Sequence, residues 1–167
     1  MSLLVRKISR AKWPEKNSTI KIDNLQADAV SELRTSKNTL SFWAIDNVSE
    51  LKNAVVALAV APLASRLEKI DVIWIDDKDL TQLGIEIEPT KGVTAAIEYA
   101  DTHRDVCNLT YSSLGIMAKA VMDAIHAGRH ERIGKKEVKD YVKEALLNGY
   151  IDLNLCKDEM KTELHKL

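Results

Sequence analysis

Cysteine is scarce in this 167-residue chain, which has two cysteines, Cys107 and Cys156, and no Cys-x-x-Cys pair. This usage excludes a disulfide framework and is typical of proteins from a reducing cytoplasm. Glycine is also scarce, with six residues, and neither GxGxxG nor GxxxxGK[ST] occurs. The sequence therefore lacks the phosphate-binding loops of ordinary nucleotide-binding domains.

Long apolar runs are absent as well. The longest, AVVALAVAPLA at residues 54–64, is far shorter than the roughly 20 residues that a membrane-spanning helix needs. The N-terminal MSLLVRKISRAKW becomes charged at Arg6 and has no small-residue cleavage site, so it does not have the pattern of a signal peptide. We therefore expect a cytoplasmic protein with no membrane partner.

A large excess of one charge is the third absence. The chain has 24 Lys and Arg against 25 Asp and Glu, which gives a net charge of −1. Dedicated nucleic-acid-binding domains are usually far more basic, so the composition argues against that role. Apolar residues make up 46% and charged residues 29%, a balance that predicts a folded chain with a substantial core.

The first half of the sequence alternates between strand and helix patterns. Runs of β-branched and aromatic residues predict strands, and amphipathic stretches predict the helices between them. A short helix closed by Gly84 and a short edge strand complete this half. The predicted strands span 3–9, 39–45 and 70–75, and the main helices span 23–34 and 47–60.

The second half predicts helices alone, at 93–107, 111–128 and 135–149, with a further helix near the end of the chain. Alternating strands and helices favour parallel pairing. The predicted fold class is therefore α/β, with a small, mainly parallel sheet in residues 1–91 and a helical region in residues 92–167. We expect the two regions to pack as one compact unit.

Three apolar runs end in aspartate followed by Asn or Asp: IKIDN at 20–24, FWAIDN at 42–47 and IDVIWIDD at 70–77. Aspartate at the start of a helix caps its free amides, and capping is the favoured interpretation. The alternative is an acidic, Mg²⁺-binding site, since the carboxyl ends of parallel strands meet at one sheet edge. That site would contain Asp23, Asp46, Asp76 and Asp77, and none of these is assigned as catalytic.

Two pairs of metal-binding residue types occur at a spacing of four, His103 with Cys107 and His126 with His130. On helices, these pairs could form a zinc site with three histidines and one cysteine. However, Gly128 predicts a helix end between His126 and His130, and the spacing fits no common zinc motif. We therefore predict no metal site and no cofactor.

Residues 5–16, VRKISRAKWPEK, carry five basic side chains against one acid, Glu15. This pattern fits three interpretations. The segment could be an edge strand protected from aggregation by its basic residues. It could also contact nucleic acid, with Trp13 stacking on a base, or contact a protein that Trp13 anchors. Trp13 precedes Pro14, which favours an exposed loop position. The predicted partner-binding surface consists of Trp13, Arg6, Lys7, Arg10 and Lys12.

No catalytic constellation is complete, and the charge is balanced. We therefore predict a small cytoplasmic accessory or regulatory protein that binds a protein partner, rather than an enzyme. The first alternative is a metal-dependent hydrolase or nuclease that uses the acidic sheet edge. The second is a nucleic-acid-binding module that uses the basic N-terminal segment. The sequence specifies no oligomeric state.

Overall fold

The computed structural model describes residues 2–167, which form a six-stranded sheet with helices on both faces. The order across the sheet is β4-β5-β2-β1-β3-β6, and every neighbouring pair is antiparallel. The strands are β1 (Leu3–Ile8), β2 (Leu40–Ile45), β3 (Ile70–Asp76), β4 (Glu86–Pro89), β5 (His103–Cys107) and β6 (His130–Ile133).

The mixture of helices and strands was predicted correctly, but the mainly parallel sheet is wrong. The chain crosses from β2 to β3 through a helix, and these two strands do run in the same direction. However, β1 lies between them and is antiparallel to both, with Leu3 opposite Ile45 on one side and Asp76 on the other. A strand–helix–strand pattern indicates a crossover, and it does not indicate which strand fills the gap.

The prediction that the second half contains only helices is also wrong, because β5 and β6 lie in it and complete the sheet. The predicted helix at 93–107 is a 3₁₀ helix, Ile97–Thr102, followed directly by β5. β5 pairs with β2 and β4, and β6 pairs with β3. These pairings join parts of the chain that are distant in sequence, and they override the local helical spacing.

Six α-helices cover the sheet, and no helix within residues 2–167 is long and apolar enough to cross a membrane. The predicted helices at 47–60, 111–128 and 135–149 are confirmed in substance, whereas 23–34 shrinks to a single α-helical turn after a 3₁₀ helix, Ile22–Asn24. The helices are α1 (Ala27–Val30), α2 (Leu51–Ala59), α3 (Asp77–Thr81), α4 (Tyr111–His126), α5 (Lys135–Leu147) and α6 (Asp158–Leu164).

Alternate residues of the central strands supply two separate cores. Val5 and Val72 face the side covered by α2, α5 and α6. Leu4, Phe42 and Ile73 face the side covered by α4. Each aliphatic side chain buried in this way contributes about 1.5–3 kcal/mol. The molecule is therefore a three-layer stack in which β1, buried at the centre, fixes both faces.

Candidate functional site

The four acidic candidates do not come together. Asp76 caps α3, its Oδ1 accepting from the Lys78 amide at 3.0 Å, which confirms the capping interpretation at that position. Asp46 follows β2 at the same sheet edge, but β1 separates the two strands, which places them about 10 Å apart. Asp23 lies in the 3₁₀ helix outside the sheet.

The fourth acid, Asp77, is tied to the N-terminal segment. Its Oδ2 accepts from the Ser2 hydroxyl at 2.8 Å and from the Ser2 amide at 3.1 Å. Burial acts to raise the pKa of Asp77, but the hydrogen bonds from Ser2 outweigh it and lower that pKa. Across residues 2–167, no group of three or more His, Cys, Asp and Glu side chains is arranged to hold a metal ion.

The histidine and cysteine candidates lie far apart. His103 and Cys107 are at the two ends of β5, whereas His126 ends α4 and His130 begins β6. Three strands separate β5 from β6, a distance of about 19 Å. The antiparallel sheet therefore does not bring these four residues together as a zinc site.

His103 belongs to a buried polar network instead. The Thr90 hydroxyl lies 2.7 Å from the His103 Nδ1 and donates to Asp105 Oδ2 at 3.1 Å. The ring is 8% exposed and packs edge-on against Trp43 at 5.0 Å. Burial lowers the pKa of His103, with Asp105 opposing the shift. These contacts join the chain after β4 to β5 and leave little of the imidazole accessible to a substrate.

Trp13 is buried, contrary to the expected exposure. The side chain is 4% exposed and belongs to the core on the α4 side of the sheet. The loop around it is polar, but the chain turns the indole inward, and the Arg10 guanidinium donates to the Trp13 carbonyl at 3.0 Å. In this conformation the ring cannot anchor a partner.

Arg6 and Lys12 are also held within the protein. The Arg6 guanidinium donates to the carbonyls of Ser41 and Glu32, and burial lowers its pKa. The Lys12 ammonium lies 2.6 Å from the Glu32 carboxylate. Burial acts to raise the pKa of Glu32, but its hydrogen bonds from Lys12 and Ser9 outweigh this and lower that pKa. Both cations therefore stabilise the packing around Glu32.

Lys7 and Arg10 line a groove of about 740 Å³ at one end of the sheet, which we call the basic groove. The end of β1, the start of β3 and the end of β6 meet there because neighbouring strands are antiparallel. Sequence reasoning missed the four other cations. Six basic and two acidic side chains line the basic groove: Lys7, Arg10, Arg66, Lys69, Arg132 and Lys135, with Glu68 and Asp71.

Three of the six cations already have partners in the protein. The Arg66 Nε lies 2.6 Å from Glu68, and the Arg132 guanidinium contacts both oxygens of Asp71, at 2.7 and 3.3 Å. Arg10 pairs with Glu15 at 3.3 Å. Lys7, Lys69 and Lys135 have no carboxylate within 4.0 Å among residues 2–167. The groove can therefore offer three uncompensated ammonium groups to a ligand.

A second pocket of about 260 Å³ adjoins the basic groove, and Lys7, Arg66 and Glu68 line both. Its other side is apolar and includes Leu58, Ala64 and Leu63, which is 83% exposed. No aromatic side chain lines either pocket. The combined surface therefore suits a ligand with negative charge and a small apolar group.

The chain matches no protein-family model, no curated protein and no solved structure.

Proposed function

We propose that this protein acts as an accessory protein that binds an acidic segment of a partner protein in the basic groove. The observation that carries the proposal is the set of three unpaired lysines, Lys7, Lys69 and Lys135, on one groove. Charge of one sign concentrated in a concave surface attracts and orients ligands of the opposite charge. We also propose a cytoplasmic location, which the low cysteine content favours.

The chemistry of the lining favours a protein segment over a nucleic acid. Groove-type binders of single strands combine cations with aromatic rings on which bases stack, and the basic groove has no such ring. The exposed Leu63 and its apolar neighbours would instead contact an apolar side chain of the partner. Burial of that side chain would add affinity that salt does not screen.

The test compares a triple charge reversal in the groove with a matched one elsewhere. The groove variant is Lys7→Glu/Lys69→Glu/Lys135→Glu, and the control is Lys21→Glu/Lys37→Glu/Lys91→Glu, three exposed lysines outside the groove lining. Both change the net charge equally. The probes are a fluorescein-labelled glutamate-rich peptide with one central leucine, the same peptide with glutamine for glutamate, and labelled oligonucleotides.

We expect the acidic peptide to bind the wild type and the control variant. Binding to the groove variant should be at least about tenfold weaker, since three surface charge pairs of about 0.2–1 kcal/mol each become repulsive. Equal affinity for all three proteins would contradict the proposal. Tighter binding to the oligonucleotides, falling log-linearly with salt, would instead support the nucleic-acid alternative.

A further inference from the structure

Strand β6 forms one open edge of the sheet. It pairs with β3 on one side and with no strand of residues 2–167 on the other. The Trp74 amide donates to the Arg129 carbonyl at 3.2 Å, so residues 74 and 129 form a hydrogen-bonded pair. Hydrogen-bonded and non-hydrogen-bonded pairs alternate along antiparallel strands. The backbone N–H and C=O groups of His130 and Arg132 therefore point away from β3, toward the open edge.

These backbone groups are available to another chain. No other backbone group in the described part of the chain donates to or accepts from His130 or Arg132. Glu131 and Arg132 are exposed, and His130 is half-buried. A row of unpaired N–H and C=O groups at a sheet edge is a template for an added strand, and many peptide-binding domains use such an edge.

The opposite edge of the sheet, β4, is protected from such pairing. The Thr90 amide donates to the His103 carbonyl at 3.3 Å, so by the same alternation Ile87 and Pro89 point away from β5. Proline has no N–H to donate, and β4 also carries two glutamates that would repel an acidic segment. Proline and charge are the usual means of protecting an edge strand. An acidic segment should therefore prefer β6.

The open edge of β6 leads directly into the basic groove. Lys135 follows Ile133, the last residue of β6, by two positions, and Lys69 precedes Ile70, which lies opposite Ile133. Both lysines line the groove. Apart from its chain neighbours, nothing lies within 4 Å of the position that a Cβ on Gly134 would occupy, so the space between the edge and the groove is open.

We infer that the acidic segment binds as an added strand, antiparallel to β6, with its acidic residues in the basic groove; this inference rests on the proposed function. Antiparallel pairing continues the pattern of the whole sheet and is slightly more stable per residue than parallel pairing. Glu131 is exposed on β6 and would repel an acid beside it. The acidic residues therefore lie past the end of β6, where they precede the paired residues in the partner's sequence.

The first test measures hydrogen exchange of backbone amides by nuclear magnetic resonance. The probe is a synthetic peptide in which a block of glutamates precedes Thr-Val-Thr-Val. At saturating peptide, exchange of the Arg132 amide should slow at least about tenfold, because that amide gains an acceptor from the added strand. The Ile87 amide at the edge of β4 is the matched control, and its exchange should not change.

Two variants at one position separate strand pairing from charge. Arg132→Pro and Arg132→Ala both remove the guanidinium that contacts Asp71, but only proline removes the backbone N–H at the edge. Proline is compatible with an edge strand at a residue whose N–H faces solvent. The proline variant should bind the peptide at least about tenfold more weakly than the alanine variant, since it loses a hydrogen bond and places a ring at the edge.

Methylation of the peptide backbone provides the same test without changing the protein. N-methyl groups on the Thr-Val-Thr-Val part remove its backbone donors and leave the glutamate side chains unchanged. This peptide should bind at least about tenfold more weakly than the unmethylated one. The same number of N-methyl groups on the glutamates should not reduce the affinity. The comparison remains decisive if Arg132→Pro fails to fold, which circular dichroism would reveal.

The outcomes distinguish this inference from the proposed function. Suppose that the peptide binds the wild type and not the groove variant, but methylation has no effect and the Arg132 amide exchanges at an unchanged rate. Strand pairing would then be refuted and the proposed function would stand. If the unmethylated peptide does not bind, or binds the wild type and the groove variant equally, the proposed function fails and this inference fails with it.

Discussion

Gly92 lies where the chain passes over the Trp43 ring, and it is the glycine at which an added methyl group would meet the closest packing. A Cβ built on Gly92 would overlap Trp43 Cη2, and it would lie 2.8 Å from Trp43 Cζ3 and 2.9 Å from the His103 Cβ. Trp43 is 5% exposed and packs against the His103 ring, so it cannot move aside easily. Gly92→Ala should therefore force a shift in the core.

The expected magnitude follows from two opposing effects. Overpacking of a core costs about 1–3 kcal/mol, whereas replacing glycine stabilises by about 0.4–1 kcal/mol through the unfolded chain. The net loss in the free energy of unfolding should be about 1–2 kcal/mol. Gly115→Ala is the matched control, since Gly115 lies in α4 with no side chain or neighbouring segment within 4 Å of its Cβ position.

Gly115→Ala should stabilise the protein by about 1 kcal/mol, because alanine favours a helix interior over glycine by that amount. The two variants should then differ in Tm by about 4–12 °C, measured by circular dichroism. In a Trp43→Phe background the smaller ring should relieve part of the clash. The changes in the free energy of unfolding caused by Trp43→Phe and Gly92→Ala should therefore not be additive. A Gly92→Ala protein as stable as the wild type would refute this account of the packing.

Two further predictions concern the helix cap at Asp76 and two histidines, the buried His103 and the half-buried His130. Asp76→Asn should leave the free energy of unfolding nearly unchanged, whereas Asp76→Ala should lower it by about 1 kcal/mol, as measured by urea unfolding; equal losses in both would contradict the capping role. Burial lowers the pKa of His103 and His130 in the folded protein, so the unfolded chain takes up protons first as the pH falls below about 6.5. Stability should therefore be highest above that pH and should fall between pH 7 and 5. His130→Gln should reduce the slope, and an unchanged slope would show that His130 does not contribute.

The elements that sequence reasoning predicted well are those whose evidence is local. Helices α4 and α5 have long apolar stripes, and glycines in the left-handed conformation follow them. β2 and β3 are runs of β-branched and aromatic residues. By contrast, β6 has only four residues, His130–Ile133, too few to show a period. Its strand conformation depends on pairing with β3, which no local pattern encodes.

The basic groove was predicted only in part for a similar reason. Lys7 and Arg10 were recognised because they lie in a basic segment, whereas the other cations of the groove come in pairs from two distant segments. Arg66 and Lys69 precede β3, whereas Arg132 lies in β6 and Lys135 begins α5. Trp13 was misplaced because a loop has no periodicity from which the direction of its side chain can be inferred.

The wrong prediction of strand direction and the incomplete prediction of the basic groove have one physical cause. In a parallel sheet the carboxyl ends of β1 and β3 would share an edge, and the basic residues after β1 would face the acids after β3. In the antiparallel sheet the end of β1 meets the start of β3, so basic residues gather at one end.

At the other end of the sheet, Asp46 follows β2 and Asp76 is the last residue of β3, and these two strands run in the same direction. Positive and negative charges are therefore separated along the strands, although the chain as a whole carries a net charge of −1. Net charge is an average over the surface, whereas attraction at a groove depends on the charges within about 10 Å of it. The balanced composition thus gives no argument against an anionic ligand in the basic groove.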